Sequence, residues 1–285
     1  MGGGTTAWVL RGGAAFGAAQ VGMARALLEA GHFPDMLYGT SAGALNAAAL
    51  AADPSLRGVT ALEDLWRAVR RQDVFPVQPL QLAAGLVGAA DHLVSSTRLR
   101  RWLARTTPVP RLQDAAVPLT VVTTDIQSGE EILLSSGPTV PALLASAAMP
   151  GIFPPVSLGG RLLMDGSIVS DTPIGPAVRA GAEVVFVLPC VPEGRSAPPR
   201  TALDAVLRST AVTLARHHER TVATWAGRCR LHVLPAPAVP GSSAFSFTRT
   251  AELVEAAHRL TTEWLATGPP VVAPPPPLPQ GSARH

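Results

Sequence analysis

The sequence predicts an α/β fold with a mainly parallel central sheet, on three observations. Short runs dominated by apolar residues, such as "AEVVFVLPC" over 182–190, suit strands buried on both faces. These runs alternate with helical patterns, the order expected of strands joined by helical crossovers. Apolar residues make up 47% of the 285-residue chain and charged residues only 15%, enough material for one large core.

The elements follow in order along the chain. "AWVL" at 7–10 suits a first strand, and 18–30 suits a helix that ends at Gly31. Met36, Leu37 and Tyr38 suit a second strand, and 44–52 a second helix. Residues 60–71 and 96–105 read as helices with Trp66 and Trp102 on apolar faces. "VPLTVVTTDI" (117–126) and "GRLLMDGS" (160–167) read as strands, and 182–190 as a central one. A long helical pattern over 201–226 precedes a last strand in "CRLHVLPA". Residues 1–267 are expected to form one domain, and the Pro-rich stretch 268–285 a disordered tail.

Composition excludes several chemistries. All 23 basic residues are arginine, so no Schiff-base lysine, Ser-Lys dyad or P-loop lysine is available. Cys190 and Cys229 lack metal-ligand spacing and read as ordinary buried thiols. The uncharged stretch 132–160 is long enough to span a bilayer, but Pro138, Pro141, Pro150, Pro154 and Pro155 interrupt it. It reads as a buried wall or the lining of an apolar pocket. The first residues lack a secretory pattern, so the expected location is cytoplasmic, with peripheral membrane contact left open. A net charge of +3 with scattered arginines gives no support to nucleic-acid binding.

Two turns carry the chemistry. "GTSAG" at 39–43 sets Ser41 between Gly39 and Gly43, with strand-like residues before it and helix formers after. This is the nucleophile-elbow pattern: flanking glycines let strand and helix approach closely, and the hydroxyl stands at a helix N-terminus. The second turn, Gly12, Gly13 and Ala14, lies between the first strand and first helix. It does not fit a dinucleotide fingerprint, which aligned on Gly12 to Gly17 would need glycine at its third position, Ala14, and whose acidic residue is missing. It can instead aim backbone N–H groups at an oxyanion.

A serine nucleophile needs a base. Of seven histidines, His232 in "RLHVL" is the best-placed triad candidate, with His217, His218 and His258 in helical patterns. Asp165 is better placed: it ends an apolar strand, and Gly166 follows. Asp171 reads as a helix N-cap before Pro173, and Asp125 as the opening of a hairpin turn.

The ordered set of a glycine turn, "GTSAGALNA", "ASAAMPGIFPPV", "LLMDGS" and "DTPIGPA" resembles the bacterial patatin-like phospholipases over residues 7–190. The resemblance implies a three-layer α/β/α sandwich and a lipid acyl hydrolase without metal or organic cofactor. It implies Ser41 as nucleophile, Asp165 as base, Gly12, Gly13 and Ala14 as the oxyanion hole, and an acyl pocket built partly from 143–156. The chain departs from the family pattern at Ala14, where glycine is usual and where alanine is expected to offer its N–H only at negative φ. It departs also at Phe16, Ser167 and Asp171, which puts substrate range in question more than chemistry. Two other readings remain: a His-dependent esterase or thioesterase, and a catalytically weak lipid-binding protein whose Arg98, Arg100 and Arg101, beside Trp102, meet anionic lipid.

Overall fold

The computed structural model describes residues 4–76, 78–190 and 201–274. β1 (Thr6–Leu10) leads through a 3-10 turn, Ala14–Gly17, into α1 (Ala18–Glu29). β2 (Met36–Thr40) and α2 (Ala42–Ala52) are joined by Ser41 alone. Four helices follow: α3 (Leu56–Ala68), α4 (Arg71–Val74), α5 (Pro79–Leu86) and α6 (Thr97–Thr106). Then come β3 (Leu119–Asp125), β4 (Glu131–Leu134), α7 (Thr139–Ser146), β5 (Val156–Leu158) and β6 (Arg161–Asp165). Two short helices, α8 (Ser167–Ser170) and α9 (Ile174–Arg179), precede β7 (Val184–Leu188). α10 (Ala202–Trp225), β8 (Arg230–Val233) and α11 (Thr250–Ala266) complete the fold.

The sheet pairs its strands in the order β5-β6-β3-β2-β1-β7-β8, with β4 on β3. β3, β2, β1, β7 and β8 run parallel, and β4, β5 and β6 pair antiparallel. Side chains alternate across it. Trp8, Leu10, Leu37, Val121 and Phe186 face one apolar layer, with residues of α1, α2, α3, α7 and α11. Ala7, Val9, Tyr38, Val185 and Val187 face the other, against α9 and α10. The result is a three-layer α/β/α sandwich. β7 lies between β1 and β8, which is why "VVFVL" is apolar at every position.

Some boundaries differ from the sequence reading, each for a local reason. The helix expected over 60–71 begins at Leu56, because the Ser55 hydroxyl accepts the Gly58 N–H at 3.3 Å. α7 lies inside the uncharged, proline-broken stretch: Pro138 is its N-cap and Pro141 sits in its first turn, where a missing N–H costs little. Among the described residues no helix is long and apolar enough to cross a membrane. Beyond α11, Val272 N–H donates to Leu231 O at 2.8 Å, so this stretch lies along β8. Residues 275–285 of the expected tail fall outside the described residues.

Candidate active site

The site is set by how β3 is shared. Leu37 N–H donates to Pro118 O at 2.9 Å, and Ile126 N–H donates to Leu162 O at 3.0 Å. Backbone groups of even-numbered residues on and beside β3 point to one edge, so β2 and β6 occupy the same edge. Asp125 N–H donates to Glu130 O, on the opposite edge, where β4 pairs. β2 ends at Thr40 opposite Val122, and β6 arrives antiparallel and ends at Asp165 opposite Thr123. The two strands therefore meet end to end, and the residue that follows β2, Ser41, faces the residue that closes β6.

Ser41 Oγ donates to Asp165 Oδ2 at 2.8 Å, across 124 positions of sequence. Both side chains are buried: Ser41 is 7% exposed and Asp165 2%. The Ser41 backbone is strained, at φ 56° and ψ −127°, as an elbow requires. Its flanking glycines serve space rather than conformation. A Cβ on Gly39 would lie 2.5 Å from Ala44 Cα, and one on Gly43 would lie 2.2 Å from Leu10 O.

The gap where β2 and β6 meet is filled by Ser146. Its hydroxyl donates to Val122 O at 2.7 Å and accepts the Ser41 N–H at 2.9 Å. It thus satisfies two backbone groups that the broken ladder would leave unpaired. Sequence reasoning missed Ser146, because a serine in an alanine-rich helix carries no local signal of such a role.

Asp165 Oδ1 accepts two further hydrogen bonds, from Ser167 N–H at 2.9 Å and Ser167 Oγ at 2.5 Å. Burial raises the Asp165 carboxyl from its ordinary value of 3.8 to about 6, and the bonds from Ser167 and Ser41 hold it from rising further. Ser167, a departure from the family pattern, therefore acts directly on this carboxylate.

The glycine turn lies against the same pair. A Cβ on Gly12 would come within 3.2 Å of Ser41 Cβ and 3.1 Å of Ser167 Oγ. Ala15 N–H is engaged by Ala244 O at 3.1 Å, whereas no bond from the N–H groups of Gly12, Gly13 or Ala14 occurs among the described residues. Ala14 has φ +48°, which corrects the expectation of negative φ: the turn imposes a left-handed residue where glycine would be unstrained. A buried network holds the turn in place. Gln20 Nε2 donates to Arg11 O and Leu188 O, Asn46 Nδ2 to Gly17 O and Gln20 Oε1, and Trp66 Nε1 to Asn46 Oδ1.

Of the other sequence candidates, Asp171 lies beside the glycine turn, where a Cβ on Gly12 would come within 3.1 Å of its Oδ1. Asp171 is not the N-cap of α9, a place taken by Pro173: it is 2% exposed and pairs with the Arg11 guanidinium, Nε to Oδ2 at 2.7 Å. Asp125 does open the β3–β4 turn, accepting Gln127 N–H at 3.0 Å. His232 bonds Pro270 O and stacks on Phe186, and His218 bonds Thr172 Oγ1. Among the described residues no histidine touches Ser41 or Asp165, and no cluster of metal-ligating side chains occurs. Cys190 is buried beneath Gly13, which pushes its thiol up from its ordinary value, and Cys229 is half-buried.

From Ser41 an apolar cavity runs inward between α2, α3, α6 and α7. Leu45, Trp66, Phe75, Trp102, Leu143 and Phe153 are among the side chains that line it. Leu143, Ala147, Met149 and Phe153 come from the uncharged 143–156 stretch.

The sequence profile described as patatin-like phospholipase matches residues 8–178, more than half of the chain. Patatin-like phospholipase domain-containing protein 7 of Rattus norvegicus is 29% identical over 188 residues, which are 65% of this chain and 14% of that protein. An NTE family protein of Mycobacterium tuberculosis is 28% identical over 188 residues, 64% of this chain and 48% of that one. Lysophospholipase nte1 of Aspergillus terreus is 27% identical over 188 residues, 63% of this chain and 11% of that protein. The chain spans half or less of the length of these relatives.

Proposed function

This chain belongs to the patatin-like phospholipase family, and on that premise we propose that it is a lipid acyl hydrolase worked by a Ser41–Asp165 dyad. The observation that carries the reading is the 2.8 Å hydrogen bond between the two side chains at the mouth of an apolar cavity. Ser41 Oγ attacks the ester carbonyl carbon, and its proton passes to Asp165 Oδ2. The oxyanion that forms is held by the N–H groups of Gly12, Gly13 and Ala14. Asp165 returns the proton to the leaving alkoxide, which departs and leaves an acyl-serine. Water then attacks the acyl carbon, giving its proton to Asp165. As the carboxylic acid departs, that proton returns to Ser41 Oγ. The apolar cavity accepts the acyl chain. Phospholipid or lysophospholipid is the proposed substrate, met at a membrane surface.

The alternative base, a histidine, has no hydrogen bond to Ser41 among the described residues, where the Ser41 hydroxyl is bonded to Asp165. A panel of phospholipids, lysophospholipids and neutral esters, with products identified by mass spectrometry, tests the function. Free fatty acid is the expected product. Unchanged turnover in H218A and H232A is expected, and a large loss in either variant would shift the assignment to a histidine.

The pH dependence follows from Asp165. As the base it must be ionised, and its carboxyl lies near 6. The rate is therefore expected to fall as pH drops through about 6. Ser167→Ala removes one hydrogen bond that favours the carboxylate, so the acid limb of kcat/KM should move to higher pH. An unmoved limb in that variant would mean that another group sets it.

A further inference from the structure

We infer that α5 and the arginines beside it form a docking surface for an anionic lipid bilayer, placed at the rim of the acyl cavity. The inference rests on the lipid reading above and names how that substrate is met. No residue of α5 is buried. Leu80 is 89% exposed and Leu86 71%, and Val87 just beyond the helix is 78% exposed. These apolar side chains stand out on a helix that is tied down at its base. Gln81 Nε2 donates to His92 O at 2.9 Å, and Ser95 N–H donates to Gln78 Oε1 at 3.2 Å. The 93–94 strip is held in turn by the cavity rim, with Leu93 N–H donating to Gly151 O and Val94 N–H to Ile152 O.

The charge around α5 is predominantly positive. Between Val69 and Thr106 the chain carries six arginines (70, 71, 98, 100, 101 and 105) and two aspartates (73 and 91). This short segment is more positive than the chain as a whole, whose net charge is +3. Among the described residues none of the six arginines forms a salt bridge, whereas eight arginines elsewhere do. Arg70, Arg71 and Arg98 gather with Gln78 around one cleft that shares Phe75 with the acyl cavity. Arg98, Arg101 and Arg105 repeat at helical spacing and are exposed, while Leu99 and Leu103 of the same helix are buried.

The occupant follows from the two properties together. A second copy of the chain docked two-fold on this face would set arginine against arginine. Nucleic acid would answer the arginines but not the leucines. A bilayer with anionic headgroups answers both: phosphates take the guanidinium groups and the acyl layer takes Leu80, Leu86 and Val87. The apolar cavity then opens beside the lipid layer.

The test uses the Ser41→Ala protein, so that lipid is not consumed, in sedimentation with phosphatidylcholine vesicles. One set is pure and one contains roughly one-third phosphatidylglycerol. Binding is expected to the anionic set only, and to weaken between about 0.1 M and about 0.5 M salt. L80S/L86S and R98E/R101E should each weaken it by about tenfold or more, and V212S, on an exposed face of α10, should leave it intact. The same surface variants with Ser41 present should hydrolyse a short water-soluble ester at the parent rate. Equal sedimentation of all variants, or no binding of the parent, overturns the inference. So does a dimer in solution that L80S/L86S dissolves. Binding that follows the predicted pattern in a protein that hydrolyses no ester would uphold the surface and overturn the hydrolase instead.

Discussion

Ser41→Ala is expected to lower hydrolysis of a preferred lipid ester by about 10⁴-fold or more, and Asp165→Asn by about 10³–10⁴-fold. The two losses should not add in the double variant, because in the proposed dyad serine and carboxylate work as one unit across the 2.8 Å bond. Neither loss reflects poor folding. Ser41→Ala removes only a hydroxyl, and Asp165→Asn should be more stable than the parent. Burial raises the Asp165 carboxyl to about 6 from 3.8, so its charge opposes folding wherever the unfolded chain is ionised. That opposition is full above about 6, shrinks as pH falls between about 6 and 4, and is gone below. At pH 8 the asparagine variant should therefore gain about 1–3 kcal/mol in chemical denaturation, and near pH 3 nothing. A fluorophosphonate label should mark the parent at Ser41, react slowly with Asp165→Asn and not mark Ser41→Ala. Ester turnover that survives either substitution near the parent rate would remove the dyad.

Gly43→Ala is expected to have the largest effect on the fold among single methyl additions at the site. Its new Cβ would lie 2.2 Å from Leu10 O and 2.5 Å from Arg11 O, both backbone atoms at the end of β1. No side chain can swing aside, so α2 must move away from β1 and carry Ser41 with it. A cost of about 2–4 kcal/mol is expected, or about 5–15 °C in Tm, together with loss of most activity. Gly129→Ala is the matched control. It sits in the β3–β4 turn at φ +75° with nothing within 4 Å of a new Cβ, so only the backbone strain of about 1 kcal/mol should appear. Thermal unfolding of the two variants beside the parent checks the contrast. Equal losses would mean that conformation, not space, fixes the glycine at 43.

The difference between those glycines shows what a sequence pattern encodes. The elbow was legible because its constraints lie within a few residues: a strand end, a strained serine, glycines where backbones touch, and helix formers after. Asp165 was legible for a similar reason, as an acid closing an apolar strand before Gly166. The turn at 12–14 was readable as a set of backbone donors, but the φ of Ala14 was not, since the surrounding packing imposes it. Asp171 looked like a cap because a Thr-Pro pair follows it locally, yet its partner, Arg11, lies 160 positions away. Ser146 stands in the "ASAAMPGIFPPV" motif, but nothing local to it showed that it bridges β2 and β3.

By itself, then, the sequence determined the serine turn proposed to hold the nucleophile, the acid at a strand end, the glycine turn and the parallel α/β plan. Each is written in the sterics and hydrophobicity of neighbouring residues. Only the tertiary structure decided that β2 and β6 share one edge of β3, and so bring Ser41 to Asp165, with Ser146 closing the gap. It alone placed α5, with its leucines uncovered, beside arginines that have no carboxylate partner among the described residues. Strand order, register and the covering of a helix face depend on contacts between segments far apart in the chain, which no local run of residues specifies.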